Sequence, residues 1–348
     1  MKRIVKIIVI MTILAALARL SVEVESVQNF MLAGVAGAFV QNAIEPAAES
    51  SGSLRVFVCG SASPLGRTDR AQACIAVLTP EHFFLIDSGA GSTDNLGAGR
   101  LPMVRLDGLL LTHFHSDHIA ELYEVNLASW IQGRPVPLKV IGPVGVDRIV
   151  DSVNQGYAMD RDYRTSHHGE AMLPTQLGVL QAETVTEGII LEQGHMTITL
   201  YTGSHAPIDP AVGYRFDYKG RSVVISGDSL VTDETRRIAD GADLLLHDAL
   251  SEPIVSTLSE SASEAGLSRV SKIMADVMDY HASTTSLIEL SDQIDVGVIA
   301  LYHLVPAPVN WFVEKIFERG LPANYVITDD GMWFDLPLQS DEIIITSP

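Results

Sequence analysis

Short apolar runs separated by polar turns follow one another along the chain from residue 54 onward. Apolar runs of about four to eight residues bounded by turn residues are typical of buried β-strands. The turn Tyr218-Lys219-Gly220-Arg221 joins two of these runs and predicts a hairpin. The predicted strands are 54–59, 73–78, 83–87, 106–113, 138–141, 196–201, 213–218, 221–226, 243–247 and 296–303.

Two longer segments between these strands predict helices. One is 119–130, and the other is most of 251–278. Strands and helices alternate up to the last apolar strand, and no clear linker follows residue 53. This mixture predicts one α/β domain spanning 54–348.

The first residues have the organisation of an export signal. Three basic residues precede an apolar run at 7–17, and an A-x-A site stands at 16–18. A basic start, a short apolar segment and such a site are typical of a secretory signal peptide. Residues 1–18 are therefore predicted to be a signal peptide or a membrane anchor. The protein is predicted to be periplasmic or otherwise extracytoplasmic, either secreted or anchored through this segment.

Residues 19–53 connect the export segment with the main domain. Apolar residues between Val27 and Phe39 recur near helical spacing with amide side chains around them. This pattern predicts an amphipathic helix that lies on the membrane or on the body of the protein. Pro46 and Gly52 lie in the following stretch, which predicts a linker at 45–53.

Composition narrows the classes of partner. The chain has 348 residues, 47% of them hydrophobic, which suffices for one large core. Its formal net charge is −20. Acidic proteins repel the phosphates of nucleic acids unless basic residues are clustered. We therefore expect a small-molecule substrate rather than a polynucleotide; the sequence does not indicate the oligomeric state.

The two cysteines, Cys59 and Cys74, lie at the end of one predicted strand and the start of the next. They could face each other in a hairpin, and an oxidising compartment would permit a disulfide bond. Buried thiols that pack as small hydrophobic side chains are the alternative. We expect the buried thiols, because the sequence does not fix the distance between the two residues.

Three histidines and one aspartate occur within the six residues 113–118, directly after an apolar strand. Imidazole nitrogens and carboxylate oxygens are both good ligands for zinc. A loop that leaves a buried strand can point such side chains into one cavity. The sequence therefore predicts a metal site formed by His113, His115, Asp117 and His118.

The motif Thr112-His113-Phe114-His115-Ser116-Asp117-His118 resembles the T-H-x-H-x-D-H signature of the metallo-β-lactamase superfamily. His205, Asp228 and His303 match the later ligands of that family, and Asp87 resembles an early aspartate that orients the histidine loop. The resemblance covers about residues 54 to 336. It implies the αββα sandwich of that family, which is two mixed sheets flanked by helices.

The resemblance also implies two metal ions and a metal-bound hydroxide as the nucleophile. Zinc is expected, although His/Asp sites also accept Mn²⁺ or iron. Asp228 would bridge the two ions. The implied ligands of one ion are His113, His115 and His205, and those of the other are Asp117, His118 and His303.

Further segments resemble the ribonuclease Z-like branch. These are the whole of 205–229, His247-Asp248-Ala249, which resembles an H-E-A-T motif, and the loop beginning at His281, which resembles an H-S-T motif. By this resemblance Asp248 orients His281, which protonates the leaving group. Asp248 occupies the position of the glutamate in the H-E-A-T motif, so its side chain is one methylene shorter. Asp117, His281 and Asp248 are thus the predicted catalytic residues, and His247 is predicted to support them structurally.

These features favour an exported hydrolase of small ester or phosphodiester substrates. The alternatives are a 3′-tRNA-processing endoribonuclease, a β-lactamase, lactonase or arylsulfatase, and a non-catalytic binding protein. Ribonuclease Z grips tRNA with a basic arm, but residues 144–200 contain three arginines against eight acidic residues. That charge has the wrong sign for phosphate contacts.

Overall fold

The computed structural model describes residues 21–44, 52–66 and 69–348, together with Lys6, Met11, Thr12 and Arg19. The chain divides into two compact units, Met1–Glu49 and Ser50–Pro348. Nearly all of the predicted export segment 1–18 and most of the predicted linker 45–53 lie outside the described residues, so both stay predictions.

In the N-terminal unit, helix α1 spans Glu25–Ile44. The sequence predicts a helix here, but the prediction that it is amphipathic is wrong, because apolar residues lie on all sides of its middle turns. Phe30, Met31 and Leu32 are consecutive, so they point about 100° apart, and only apolar or small residues occur at 30–40. Among the described residues, no helix combines the length and the apolar character needed to cross a membrane.

The described part of the main unit contains two mixed sheets. The strands are β1 (Ser53–Gly60), β2 (Cys74–Leu78), β3 (Phe83–Ile86), β4 (Gly108–Leu110), β5 (Lys139–Gly142), β6 (Gln181–Thr184), β7 (Gly188–Gln193), β8 (Met196–Thr202), β9 (Val212–Tyr218), β10 (Arg221–Ile225), β11 (Ala242–Leu250), β12 (Val296–Val305), β13 (Tyr325–Ile327), β14 (Trp333–Pro337) and β15 (Ile344–Thr346). The first sheet has the order β15-β14-β1-β2-β3-β4-β5-β6, and the second has the order β13-β12-β11-β10-β9-β8-β7.

Helices cover the outer face of each sheet. The α-helices in the described part of the main unit are α2 (Ser92–Ala98), α3 (Ser116–Ile119), α4 (Leu122–Ile131), α5 (Val146–Gly156), α6 (Ala158–His168), α7 (Asp233–Ala239), α8 (Glu252–Glu264), α9 (Ser268–Asp276), α10 (Thr284–Ser291) and α11 (Trp311–Phe317). Side chains of α2, α4 and α5 pack on the first sheet, and those of α7, α10 and α11 pack on the second. The predicted αββα sandwich is confirmed.

Successive side chains along each strand point alternately to the other sheet and to the helices, and this alternation explains the layered arrangement. In β1, Leu54, Val56 and Val58 enter the core between the two sheets, whereas Phe57 and Cys59 face the helices. Successive side chains of a strand point to opposite faces. Because both faces of each sheet are covered, the central strands appear in the sequence as continuous apolar runs.

Two predicted elements are interrupted where the chain turns toward polar partners. The predicted strand 106–113 is shortened to β4, because the backbone N–H of Thr112 donates to Asp87 Oδ1 (2.9 Å) instead of continuing the ladder. The predicted helix 119–130 divides into α3 and α4. At the break, the Glu121 carboxylate accepts hydrogen bonds from the backbone N–H groups of Gly91 and Thr93.

Cys59 and Cys74 form a disulfide bond, so the expectation of two free thiols is wrong. Strands β1 and β2 pair antiparallel, and the register shifts between Val58 and Gly60, which leaves Cys59 in a bulge opposite Cys74. Their Cα atoms lie 5.0 Å apart, within the range that a disulfide requires. The bulge supplies the alignment that the sequence pattern does not reveal.

Removing this disulfide should destabilise the main unit. The two cysteines are 15 residues apart, and cross-linking a loop of that length restricts the unfolded chain by about 3 kcal/mol. We expect Cys59→Ala/Cys74→Ala to lower the free energy of unfolding by about 2–4 kcal/mol, measured by urea denaturation. A reductant should weaken the wild-type protein to the same degree and leave the double variant unchanged. Equal stability of both proteins under oxidising conditions would contradict the prediction.

Candidate metal centre

The seven predicted ligands lie together at one end of the sandwich, where strands of both sheets end. The loop 113–118 follows β4 and opens α3. His205 follows β8, Asp228 follows β10, and His303 lies near the end of β12. All of them are buried except His115, which is exposed.

Two residues of the centre have a left-handed backbone, Asp87 with φ 60° and His303 with φ 44°. In β12, Tyr302 pairs with Asp248 and Leu304 pairs with Ala249, so His303 is the extra residue of a β-bulge. A bulge redirects the side chain that it carries. Such strained residues cluster at functional sites, and here the bulge turns His303 toward the other ligands.

One group of side chains comprises His113, His115, His205 and Asp228. His115 Nδ1 lies 3.0 Å from His113 Nε2 and 3.4 Å from His205 Nε2. Asp228 Oδ2 lies 3.8 Å from His113 Nε2 and from His205 Nε2. Three imidazole nitrogens and one carboxylate oxygen therefore surround one point.

A second group comprises Asp117, His118, His303 and again Asp228. Asp117 Oδ2 lies 3.0 Å from His303 Nε2 and 3.4 Å from His118 Nε2. Asp228 Oδ2 lies 3.3 Å from His118 Nε2 and 3.4 Å from His303 Nε2. Asp228 is thus the one carboxylate common to both groups, as the resemblance implies.

These spacings fit tetrahedral zinc. Ligand atoms about 2.0–2.1 Å from a tetrahedral ion lie roughly 3.3 Å from one another, close to the distances within both groups. His118 Nε2 and Asp228 Oδ1 are buried and accept or donate no hydrogen bond among the described residues. A metal ion would satisfy such atoms, and buried polar atoms without any partner are otherwise rare.

The protonation states of Asp228 and His113 suit metal binding, which requires ionised aspartate and neutral histidine. Burial alone would raise the pKa of Asp228, but His118 and His303 hold that pKa well below its ordinary value. Burial lowers the pKa of His113. Burial also opposes a charge on His118, yet Asp228 and Asp87 raise its pKa well above the ordinary value, so an ion bound there would displace a proton.

Neighbouring groups fix the orientation of the predicted ligands. Asp87 Oδ2 lies 2.8 Å from His118 Nδ1 and accepts a hydrogen bond from the Thr112 hydroxyl. The backbone carbonyl of Tyr280 lies 2.9 Å from His205 Nδ1. Asp87 therefore lies in contact with the predicted ligand His118. Sequence reasoning missed Tyr280 and gave no role to Thr112, although each is the immediate neighbour of a predicted site residue.

Asp248 and His281 lie in contact despite the shorter aspartate side chain. His281 Nδ1 lies 2.8 Å from Asp248 Oδ2. Asp248 Oδ1 accepts from the backbone N–H of Ser229 (3.2 Å) and lies 2.9 Å from His247 Nδ1. His247 is fully buried, so it supports Asp248 from behind. These contacts hold the carboxylate in one orientation.

The contact with Asp248 also affects the pKa of His281. Burial lowers the pKa of His281, but the hydrogen bond with Asp248 and the negative charges of Asp228 and Asp248 outweigh burial and raise that pKa above its ordinary value. Because Nδ1 is engaged by Asp248, Nε2 is the nitrogen that remains for another group. The imidazolium form can donate a proton from this nitrogen.

A cleft of about 360 Å³ opens onto the centre. Asp117, Asp228, His281 and His303 lie at its polar end, together with the exposed His115. A cleft of this size accommodates a small ligand. The other lining residues are Ser63, Pro64, Leu65, Ser116, Ile273, Val277, Tyr280 and Val305.

Comparison with known proteins agrees with this geometry. Residues 67–273 match the model of a family described as the metallo-beta-lactamase superfamily. Among curated proteins, Ribonuclease Z of Mycobacterium bovis (strain BCG / Pasteur 1173P2) is 31% identical over 257 residues, which cover 73% of this chain and 87% of that protein.

Solved structures show the same fold. The metallo-beta-lactamase fold protein YhfI from Bacillus subtilis aligns with a TM-score of 0.59 at 17% identity, covering 82% of this chain and 99% of that one. The short form of human tRNase Z aligns with a TM-score of 0.57 at 16% identity, covering 81% of this chain and 99% of that one.

Proposed function

The chain belongs to the metallo-β-lactamase superfamily and is a metal-dependent hydrolase with ribonuclease Z-like relatives, and on that premise we propose that it holds two zinc ions and cleaves small ester or phosphodiester substrates outside the cytoplasm. The observation that carries the proposal is the pair of four-residue groups that share Asp228. The same donor atoms also accept Mn²⁺ or iron, but the near-tetrahedral spacing favours zinc among these metals.

Each residue has a distinct role in this proposal. His113, His115 and His205 would hold one ion, Asp117, His118 and His303 would hold the other, and Asp228 would bind both. Bound ions act as Lewis acids and lower the pKa of water enough to supply a nucleophile near neutral pH. Asp117 is also one of the carboxylates that line the cleft, so it contributes to the surface on which the reacting group lies.

His281 would protonate the leaving group. It lines the cleft, and its Nδ1 atom is held by Asp248, so Nε2 is the nitrogen that can contact a substrate. A carboxylate behind an imidazole favours the imidazolium form that a general acid requires. Asp248 acts through His281 and is therefore a positioning residue.

Ribonuclease Z activity is the second candidate, because the curated relatives carry that name. The segment where a tRNA-binding arm is expected folds instead into α5, α6, β6 and β7, and its charge is acidic. A cleft of about 360 Å³ also favours a small substrate.

A substrate panel tests the proposal directly. Metal-quantified protein is assayed on bis-p-nitrophenyl phosphate, an aryl sulfate, a lactone, nitrocefin and a precursor tRNA. We expect turnover of the phosphodiester or of an ester and little cleavage of the tRNA. A higher kcat/KM for the tRNA would establish the endoribonuclease, and efficient hydrolysis of nitrocefin would establish a β-lactamase. Binding without turnover on the whole panel would indicate a non-catalytic protein.

The mature protein is expected outside the cytosol, with Cys59 and Cys74 oxidised. The basic and apolar start of the chain supports this, as does a disulfide, since disulfides persist mainly in oxidising compartments. Fractionation with thiol alkylation at lysis measures both properties, and carbonate extraction distinguishes a membrane-associated chain from a soluble one. A variant lacking residues 1–18 is the control and should accumulate in the cytosol with reduced cysteines. Full-length protein in the cytosol with free thiols would contradict the prediction.

A further inference from the structure

The two sides of the cleft differ in chemistry. The proposed metal ligands and His281 line one part of the cleft, and apolar residues line another part, the apolar side. None of the described residues that line the cleft is a lysine or an arginine. The apolar side is formed by Pro64, Leu65, Ile273, Val277, Tyr280 and Val305.

The apolar side is continuous in sequence with the proposed proton donor. Ile273 lies in α9, Val277 opens the 3₁₀ turn Val277–Asp279, and Tyr280 comes directly before His281. The rings of Tyr280 and His281 lie 4.9 Å apart, centroid to centroid. A group that accepts a proton from His281 therefore lies beside Tyr280 and the residues that precede it.

This apolar side is fixed by the core behind it. Val277 and Val305 are buried in a cluster with Leu250 and Val255, and Tyr280 packs against that cluster. By contrast, the side chain of Ile273 is 48% exposed at the mouth of the cleft. An apolar ligand would cover surface there without rearranging the wall, and covering apolar surface favours binding.

We propose that the leaving group of the substrate is an uncharged alcohol with an apolar chain or ring, which binds against Ile273, Val277 and Tyr280. This inference rests on the proposed hydrolase function and names the substrate class. Water oxygen bonds to the acyl or phosphoryl centre and releases one proton to solvent, and the bond from that centre to the alcohol oxygen breaks. The alcohol oxygen takes a proton from His281, and the imidazole regains a proton from solvent. A polyanionic leaving strand of RNA would instead place phosphates on an apolar surface, which is unfavourable.

Product alcohols test the site without depending on turnover. Binding of butan-1-ol, hexan-1-ol and octan-1-ol to the metal-loaded protein is measured by saturation-transfer NMR. We expect Kd to fall about 4-fold for each added methylene, up to the length of the wall. We also expect 3,3-dimethylbutan-1-ol to bind more tightly than choline, which has the same shape and a positive charge. A Kd independent of chain length, or tighter binding of choline, would overturn the inference.

Two variants locate the binding surface. Ile273→Ser should raise the Kd of hexan-1-ol about 10-fold by removing apolar contact area. Val270→Ser is the matched control, since Val270 lies in the same helix and is 41% exposed but does not line the cleft; it should leave the Kd unchanged. Equal effects of both variants would overturn the inference. Alcohol binding without hydrolysis of any substrate on the panel would refute the hydrolase function but support the alcohol-binding site. Hydrolysis together with a Kd that does not depend on chain length would support the hydrolase function but refute the alcohol-binding site.

Discussion

Asp228→Asn should reduce the metal content from about two ions per chain to one or fewer and lower kcat/KM by more than about 100-fold. Asp228 Oδ2 lies within 3.8 Å of four imidazole nitrogens, two in each group. Asparagine keeps the volume and one ligand oxygen but loses the charge that faces both ions. Removing a residue that only orients a metal ligand already lowers metal affinity or activity about 10–100-fold. Loss of the shared carboxylate should therefore lower both by a larger factor.

Elemental analysis and kinetics on the same preparation measure both effects. Asp217→Asn is the matched control, because Asp217 is also an aspartate with a close basic partner, Arg215 at 2.9 Å, but lies outside the centre. The control should keep its full metal content and turnover. Wild-type metal content and activity in Asp228→Asn would show that this carboxylate is not shared between two ions. Native protein that contains no transition metal and takes up none would remove the basis of the proposal.

The local part of the site could be predicted from the sequence alone. Three histidines and an aspartate within 113–118, directly after an apolar strand, predict a metal-binding loop, because few other functions need that combination. His205, Asp228 and His303 are isolated in the sequence, and only the resemblance associates them with the loop. The fold explains why they meet, since each follows or ends a strand whose end lies at the same side of the sandwich.

Features that depend on register could not be predicted. The Cys59–Cys74 bond and the orientation of His303 both result from β-bulges. A bulge changes which face a side chain points to, and the alternation of apolar residues does not encode it. The motifs indicate that Asp248 orients His281, but they do not give the distance between the two side chains.

Four of the five strands that the sequence analysis missed lack the apolar runs by which the others were recognised. The fifth, β7, contains the run Ile189-Ile190-Leu191 but lies at the edge of its sheet and is partly exposed. Strand β6 has the sequence Gln-Ala-Glu-Thr and lies at the edge of its sheet, mostly exposed. β13 and β15 have three residues each, too short for a periodic pattern. β14 alternates buried with half-buried residues and ends in Pro337, a residue that argues against a central strand. Tertiary pairing, rather than local sequence, defines these four.

His281→Ala should separate proton donation from metal chemistry. Its side chain contacts Asp248 at 2.8 Å and lines the cleft. It lies outside both four-residue groups, and its own set with Asp228 and Asp248 has only three members, so metal content should stay at the wild-type level. With p-nitrophenolate, which departs readily as an anion, we expect a small loss. With an alkyl ester or dialkyl phosphodiester, whose alkoxide needs a proton, we expect a loss of about 10²-fold or more.

The dependence of log kcat/KM on leaving-group pKa is the decisive measurement. It should become steeper in His281→Ala, and less so in Asp248→Asn, where the histidine remains but loses its fixed orientation and its negative neighbour. His168→Ala, at the exposed end of α6, is the matched control and should leave the slope unchanged. A merely structural role would lower all rates alike, since a distorted centre does not distinguish one leaving group from another. Equal losses on activated and unactivated substrates would therefore show that His281 is not the general acid and that the likeness to ribonuclease Z ends at the metal ligands.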